Sequence, residues 1–181
     1  MNVNESHIRQ CYGRVVYSHK THEKCADILT DKLNLVANMQ IILSAISAGG
    51  IITVLFDSNG MVAKIITALS ATMLSAITMY FKQNDIALSI QEHKATAMQL
   101  WGVRESYESL LSDIRFEVID IGEIRSIRDK LQNKLHDVYN SAPRTFYKGY
   151  KEAQDSLKNK EDMTFSDEEI DAFLPEHLKS I

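Results

Sequence analysis

Two stretches of the chain lose the mixture of apolar and charged positions that marks the rest. Leu33 to Phe56 is 24 residues without a charge, and Met61 to Phe81 carries only Lys64. As a helix rising 1.5 Å per residue the first would extend roughly 36 Å, more than the roughly 30 Å of a hydrocarbon core. Its opening turns are polar, with Asn34, Asn38 and Gln40, so the strictly apolar part begins near Ile41. Asp57-Ser58-Asn59-Gly60 between the stretches is a turn sequence. A linker so short makes two helices antiparallel and brings both outer ends to one side. Lys64 sits in the first turn of the second stretch, where its long stem can carry the ammonium out to the headgroups.

Beyond Lys82 the pattern becomes that of ordinary amphipathic helices. Leu100, Val103, Tyr107, Leu110, Ile114 and Val118 recur at spacings of three and four, widened by Trp101 and Leu111. They predict one helix of about 35 residues running out of the second span without a breaker. Asp120 and Glu123 form an acidic capping box and Gly122 weakens continuity, so a new helix is expected from Ile121. Its stripe is Ile124, Ile127, Leu131, Leu135 and Val138, and Asn140-Ser141-Ala142-Pro143 ends it. The two stripes pair most simply as an antiparallel hairpin. Ile8, Tyr12, Val15, Val16 and His19 mark an N-terminal helix that can lie against them. A helix near Arg144–Lys158, a loop at Asn159–Met163 and a short helix capped by Ser166-Asp167-Glu168-Glu169 and stopped at Pro175 complete the chain.

With two prolines, seven glycines and no sustained alternation elsewhere, the expected class is all-α. The expectation is a membrane protein with a two-helix transmembrane hairpin and a cytoplasmic helical bundle formed by the N- and C-terminal segments. Residues 1–32 form the N-terminal cytoplasmic helix, 33–81 the hairpin (33–56 and 61–81) and 82–181 the cytoplasmic helical domain. The competing architecture buries the hairpin inside a soluble bundle; a run of 24 uncharged residues argues against it.

Net charge is −4, which excludes a generally basic nucleic-acid binder. Lys20, Lys24, Lys32, Lys82 and Lys94 fall at the open end of the hairpin and Lys64 at its tip. The positive-inside rule then puts both termini in the cytoplasm. Cys11 and Cys25 make no disulfide framework, which fits a reducing compartment. No secretory signal is expected: 32 mostly polar residues precede the first apolar run.

Small residues crowd both spans. Ser44/Ala48, Ala45/Gly49, Ala71/Ser75 and Thr72/Ala76 are small-xxx-small pairs suited to close helix approach in lipid, within one hairpin or between subunits. Asn34, Asn38, Ile41, Ala45, Ala48 and Ile52 follow one another at spacings of four and three along one face. Amides at the cytoplasmic end and small or apolar residues deeper in suit a pore with a wet mouth and a constriction that gates by dewetting. The alternative is that the amides bond to the neighbouring helix or reach the interface. One hairpin encloses no lumen, so a pore needs a homo-oligomer; analogy with other two-span channels gives four copies.

No catalytic arrangement is found: no Gly-rich phosphate loop, zinc-protease helix, nucleophile elbow or Cys-x-x-Cys. No enzyme activity, cofactor or metal is expected. His19, His22 and Cys25 are spaced three apart, but no fourth ligand is evident, and a structural role is the reading adopted. Arg125, Arg128, Lys130 and Lys134 form the densest basic stretch. Arg144, Tyr147, Lys148 and Lys151 combine cations with an aromatic ring able to stack on a base. Acidic neighbours such as Glu123 and Asp129 make a solvated helix face the default for the first group.

The order of features resembles a known family. A basic, aromatic N-terminal helix precedes two spans on a very short turn; then come Glu92-His93-Lys94-Ala95, Leu100-Trp101, Asn140-Ser141-Ala142-Pro143 and finally Thr164-Phe165-Ser166-Asp167-Glu168-Glu169-Ile170-Asp171-Ala172-Phe173-Leu174-Pro175. This resembles the SLATT family, bacterial two-transmembrane effector domains. The resemblance implies a pore-forming or membrane-disrupting effector of antiphage defence in the bacterial cytoplasmic (inner) membrane. It implies control by a nucleotide or oligonucleotide made by a nucleotidyltransferase partner encoded nearby, with depolarisation and growth arrest or death as the outcome. Under that implication the two basic stretches become candidate phosphate contacts. A different class of function is a non-conducting membrane anchor that recruits a partner protein through its cytoplasmic helices.

Overall fold

The computed structural model of the chain describes residues 3–56 and 60–179. Its elements are α1 (Val3–Phe56), α2 (Met61–Asn84), α3 (Ile86–Arg115), α4 (Ile121–Ser141), α5 (Tyr147–Asn159), α6 (Asp167–Phe173) and a single 3₁₀ turn, Glu176–Leu178. The Asp57–Asn59 part of the expected turn lies outside the described residues. The described residues are helix and loop throughout, as expected of an all-α chain.

The N-terminal helix and the first span are one continuous helix. α1 has 54 residues and is about 81 Å long. No proline interrupts it, and nothing in its backbone marks the change from charged to apolar surroundings at residue 33. The second crossing is built differently. Sequence periodicity suggested one helix running from the second span into the polar region. Instead Asp85 adopts the left-handed conformation (φ 37°, ψ 55°) and separates α2 from α3. Asp tolerates that region better than most residues because its short side chain caps locally: the carboxylate accepts from the Leu88 amide at 3.2 Å.

α3 also ends earlier than the apolar spacing implied. Glu117 is left-handed, the Val118 amide bonds to the Asp113 carbonyl at 3.1 Å and the Glu117 amide to that of Ile114 at 3.3 Å. That is the Schellman arrangement, and it leaves Val118 exposed in the turn rather than on the helical stripe. α4 begins at Ile121 with the expected Asp120–Glu123 capping box, and α6 with that of Ser166 and Glu169. α5 starts three residues later than anticipated. Its first turn follows an extended Phe146, whose ring stands edge-on to His93.

The polar end of the molecule is a bundle around one apolar core. Ile8, Cys11 and Val15 of α1 meet Leu100, Val103, Tyr107 and Leu110 of α3, with Leu131 and Val138 of α4 closing the far side. The α3 and α4 stripes thus face each other as anticipated, and α1 lies in the groove between them. α5 packs on α1 closer to the spans, through buried Gly149, Ala153 and Ser156. The approach there is tight: a Cβ on Gly149 would lie 2.4 Å from Cys25 Sγ and 3.4 Å from the Cys25 backbone nitrogen.

Substituting Gly149→Ala should therefore push α5 off α1 and destabilise the bundle by about 1–3 kcal/mol. Chemical denaturation followed by circular dichroism reads the loss, and alkylation of Cys25 should quicken alongside. An unchanged midpoint would show that α5 does not sit this close.

Candidate functional site

Two helices are long and apolar enough to cross a membrane, and they touch each other along a narrow seam. On α1 the seam runs through half-buried Val36, Gln40, Leu43 and Gly50 with buried Ser47. On α2 it runs through half-buried Ala63, Thr67, Leu74, Ile77 and Phe81 with buried Ser70. Both series step by three and four, the seven-residue repeat that keeps two helices in contact along their length. Ser47 Oγ and Ser70 Oγ lie 2.8 Å apart. Ser70 donates to the Thr67 carbonyl, so Ser47 is the donor of that pair. Nearer the bundle Gln40 Nε2 donates to Thr78 Oγ1 at 3.1 Å. Each such bond contributes only about 0.6 kcal/mol between helices in lipid, so these bonds set register more than strength. Close approach supplies the rest: a Cβ on Gly50 would lie 1.8 Å from Thr67 Oγ1 and 3.0 Å from its Cβ. At the open end Lys32 Nζ stands 5.8 Å from the centre of the Phe81 ring, which levels the two spans where they meet the polar region.

Outside the seam the spans are bare. Ile41, Val62, Leu69 and Met79 are each about two-thirds exposed or more (67%, 70%, 66% and 71%), and Ser47 and Ser70 are the only buried residues described between 33 and 81. The bundle does not wrap these segments, which disposes of the buried-hairpin alternative. The small-xxx-small pairs named from the sequence are not the seam either. Ser44, Ala45, Ala48, Gly49, Ala71, Thr72, Ser75 and Ala76 are all exposed. Asn34, Asn38, Ile41, Ala45, Ala48 and Ile52 are exposed as well, on the side of α1 turned away from α2. The Asn34 and Asn38 amides therefore do not bond to the neighbouring span.

In the bundle, burial gathers histidines rather than a catalytic group. His22 Nδ1 lies 2.9 Å from His93 Nδ1, so one ring must donate and the other accept. The rings are 5.0 Å apart. Burial, then the His93 ring, then His19 push the His22 pKa down to about 4; burial lowers that of His93 too. Both shifts favour the uncharged form of the rings. His19 is buried beside them with Nε2 3.5 Å from Glu23. Cys25 is buried against Gly149, and burial pushes its thiol up. No group of three or more His, Cys, Asp or Glu among the described residues is arranged to hold a metal ion. His22 turns to α3 instead of joining His19 and Cys25. The sequence carried a sign of this, since His93 continues the α3 stripe through Ile90, Ala97 and Leu100.

The candidate phosphate contacts lie on separate elements. Arg125, Lys130 and Lys134 are exposed on α4, where Arg128 pairs with Asp129. Tyr147, Lys148 and Lys151 are exposed on α5, with Lys148 3.7 Å from Glu152, and Arg144 lies in the loop before it. α4 packs on α3 and α5 on α1, so the two stretches do not converge. A cleft of about 640 Å³ between α1 and α3, under exposed Trp101, has mixed charge, with Glu23 and Asp27 beside Lys20, Lys94 and Arg104. There Lys20 is held by Glu23 and Asp162 at 3.2 Å each.

An antiparallel pair of exposed apolar helices long enough to cross a membrane, continuous on one side with a polar helical bundle, has the form of a two-span membrane protein of the all-α class. The match of residues 5–169 to the model of SMODS and SLOG-associating 2TM effector domain family 4 is consistent with it. The match covers nearly all of the chain, and the chain belongs to that family. No curated protein and no solved structure matches it.

Two outcomes follow from the geometry. Gly50→Ala should weaken the helix pair by about 1–3 kcal/mol, read as a lower detergent midpoint in mixed-micelle unfolding, and Thr67→Ala should restore part of the loss. A single variant as stable as the parent would remove the close approach. Acidification should also loosen the bundle. A buried histidine with a depressed pKa stabilises the fold fully above its unfolded value near 6.5, and that contribution falls as pH drops towards 4. By pH 5 the loss from His22 is on the order of 2 kcal/mol. Denaturation midpoints at pH 7.5 and 5 should diverge in the parent and draw together in His22→Gln; equal acid sensitivity in both would assign the effect elsewhere.

Proposed function

We propose that several copies of this chain assemble into an ion-conducting pore in the bacterial cytoplasmic membrane, with both termini in the cytoplasm. The observation that carries the reading is the face of α1 opposite the seam. It presents Asn34 and Asn38, whose amides have no hydrogen-bond partner among the described residues, above exposed small and apolar positions. A carboxamide facing hydrocarbon without a partner is costly, and lining a wet mouth relieves that. Ala45, Ala48 and Ile52 below it form a constriction. The exposed Ala71/Ser75 and Thr72/Ala76 pairs of α2 supply a face along which further copies pack; four copies close the ring by analogy with other two-span channels.

Family membership supports a role as a two-transmembrane effector. In this reading the effector acts in antiphage defence by dissipating ion gradients, which arrests or kills the infected cell. A nucleotide or oligonucleotide from a nucleotidyltransferase partner shifts the bundle between two states, and it acts only through its differing affinity for them. Arg125, Arg128, Lys130 and Lys134, or Arg144, Tyr147, Lys148 and Lys151, supply phosphate contacts. A non-conducting anchor would share the hairpin but need no polar face.

The test is ion flux from vesicles carrying the purified chain, with and without nucleotides. Ala45→Trp should cut flux at least severalfold while leaving assembly intact, and Ala48→Asp should alter it in rate or selectivity. Flux unchanged by both variants, with normal assembly, would take this face out of the pore; no flux under any condition would leave the anchor.

A further inference from the structure

The face of α1 assigned to the pore does not stop where the apolar stretch begins. That face and the seam both advance by threes and fours, so they keep one angle to each other along the helix. α1 runs unbroken from Val3 to Phe56, and the line extends into its polar end. Three and then seven residues before Asn34 come Asp31 and Asp27, both exposed. They stand about 4.5 and 10.5 Å from Asn34 along the axis, on the side turned away from the seam. The two carboxylates differ in their company. Asp27 lies 3.5 Å from Lys24. Lys20, farther out on the same side, is held by Glu23 and Asp162. Lys32, next to Asp31 in sequence, reaches towards the Phe81 ring at the seam. Asp31 itself has no ion pair or hydrogen bond among the described residues. It is thus the one charge on this line that no neighbour offsets, and it is the charge closest to the span.

We propose that Asp31 makes the pore selective for cations, each copy adding one carboxylate to a ring at the cytoplasmic mouth, just outside the Asn34 amides. This deepens the pore reading and rests on it. Copies arranged about an axis repeat Asp31 at one height, so its field adds up where ions enter; such a ring concentrates cations and turns anions away. The Asn34 and Asn38 amides next in line are neutral and do not discriminate by sign. Lys64 at the hairpin tip is on α2, beside the seam residue Ala63, and does not share the line. An exposed carboxylate at a wet mouth strips no hydration shell, so the selection is by sign of charge and not by ion size.

Planar-bilayer recordings of the purified full chain in a KCl gradient test it, the reversal potential giving the ratio of potassium to chloride permeability. The parent should favour potassium severalfold and pass sodium about as well. Asp31→Asn should lower the ratio severalfold, Asp31→Glu should keep it and Asp31→Lys should take it below one. Asp27→Asn should do less, because Lys24 already offsets that charge, and Glu92→Gln, exposed on α3, should do nothing. Raising the salt to 1 M, where the Debye length falls to about 3 Å, should erode the selectivity of the parent. A parent that prefers chloride, or a reversal potential unmoved by Asp31→Asn and Asp31→Lys, overturns the assignment and leaves the pore standing. No current from normally assembled protein removes the pore and this assignment with it.

Discussion

The fold depends on one helix that runs from the polar bundle into the apolar hairpin without a break. A helix satisfies its backbone amides and carbonyls internally, so the same conformation serves in both solvents, and α1 uses that freedom along its whole 54 residues. α2, α3 and α5 are all packed along it. Partners on α3 and α2 step back as α1 steps forward: Tyr12 bonds to Glu108, His22 to His93, Gln40 to Thr78 and Ser47 to Ser70. One antiparallel register therefore runs through core, histidine layer and seam.

What holds each level of that register changes with the surroundings. In the bundle, water drives large apolar side chains together, and Tyr107, Leu100, Ile8 and Leu110 are among the fully buried ones. Between the spans no such drive exists, since lipid is as apolar as leucine. Gly50, Ser47, Thr67 and Ser70 take over there and let the backbones approach. The histidine layer lies between these regimes. Its paired rings suit neither an apolar core nor a solvated face, and the Phe146 ring ahead of α5 stands against His93.

Much of this was legible in the sequence because it rests on local chemistry. Missing charges revealed the spans, and the Asp120–Glu123 and Ser166–Glu169 boxes located two helix starts. The α3 and α4 stripes found their pairing because amphipathic periodicity reports which face is buried. Less legible was anything decided by a partner distant in the chain. Small residues occur all round both spans, so spacing alone could not separate the Ser47–Ser70 seam from the Ser44/Ala48 and Ala71/Ser75 pairs. Asp85 reads as an ordinary polar residue, and its left-handed backbone becomes apparent only with its own carboxylate capping α3. The basic stretches on α4 and α5 were conspicuous in sequence and remain apart in space.

The continuity of α1 also restricts how such a chain can change its length. Each residue added between Ala26 and Leu33 would turn everything beyond it by about 100° and advance it by about 1.5 Å. The bundle-facing and span-facing stripes would fall out of phase, and neither α3 nor α2 could follow both. Insertions of about seven or eleven residues, close to two or three full turns, bring the stripes back into alignment. A linker that tolerates any length could join the same two halves, but it would not convey a twist from one to the other as a rod does.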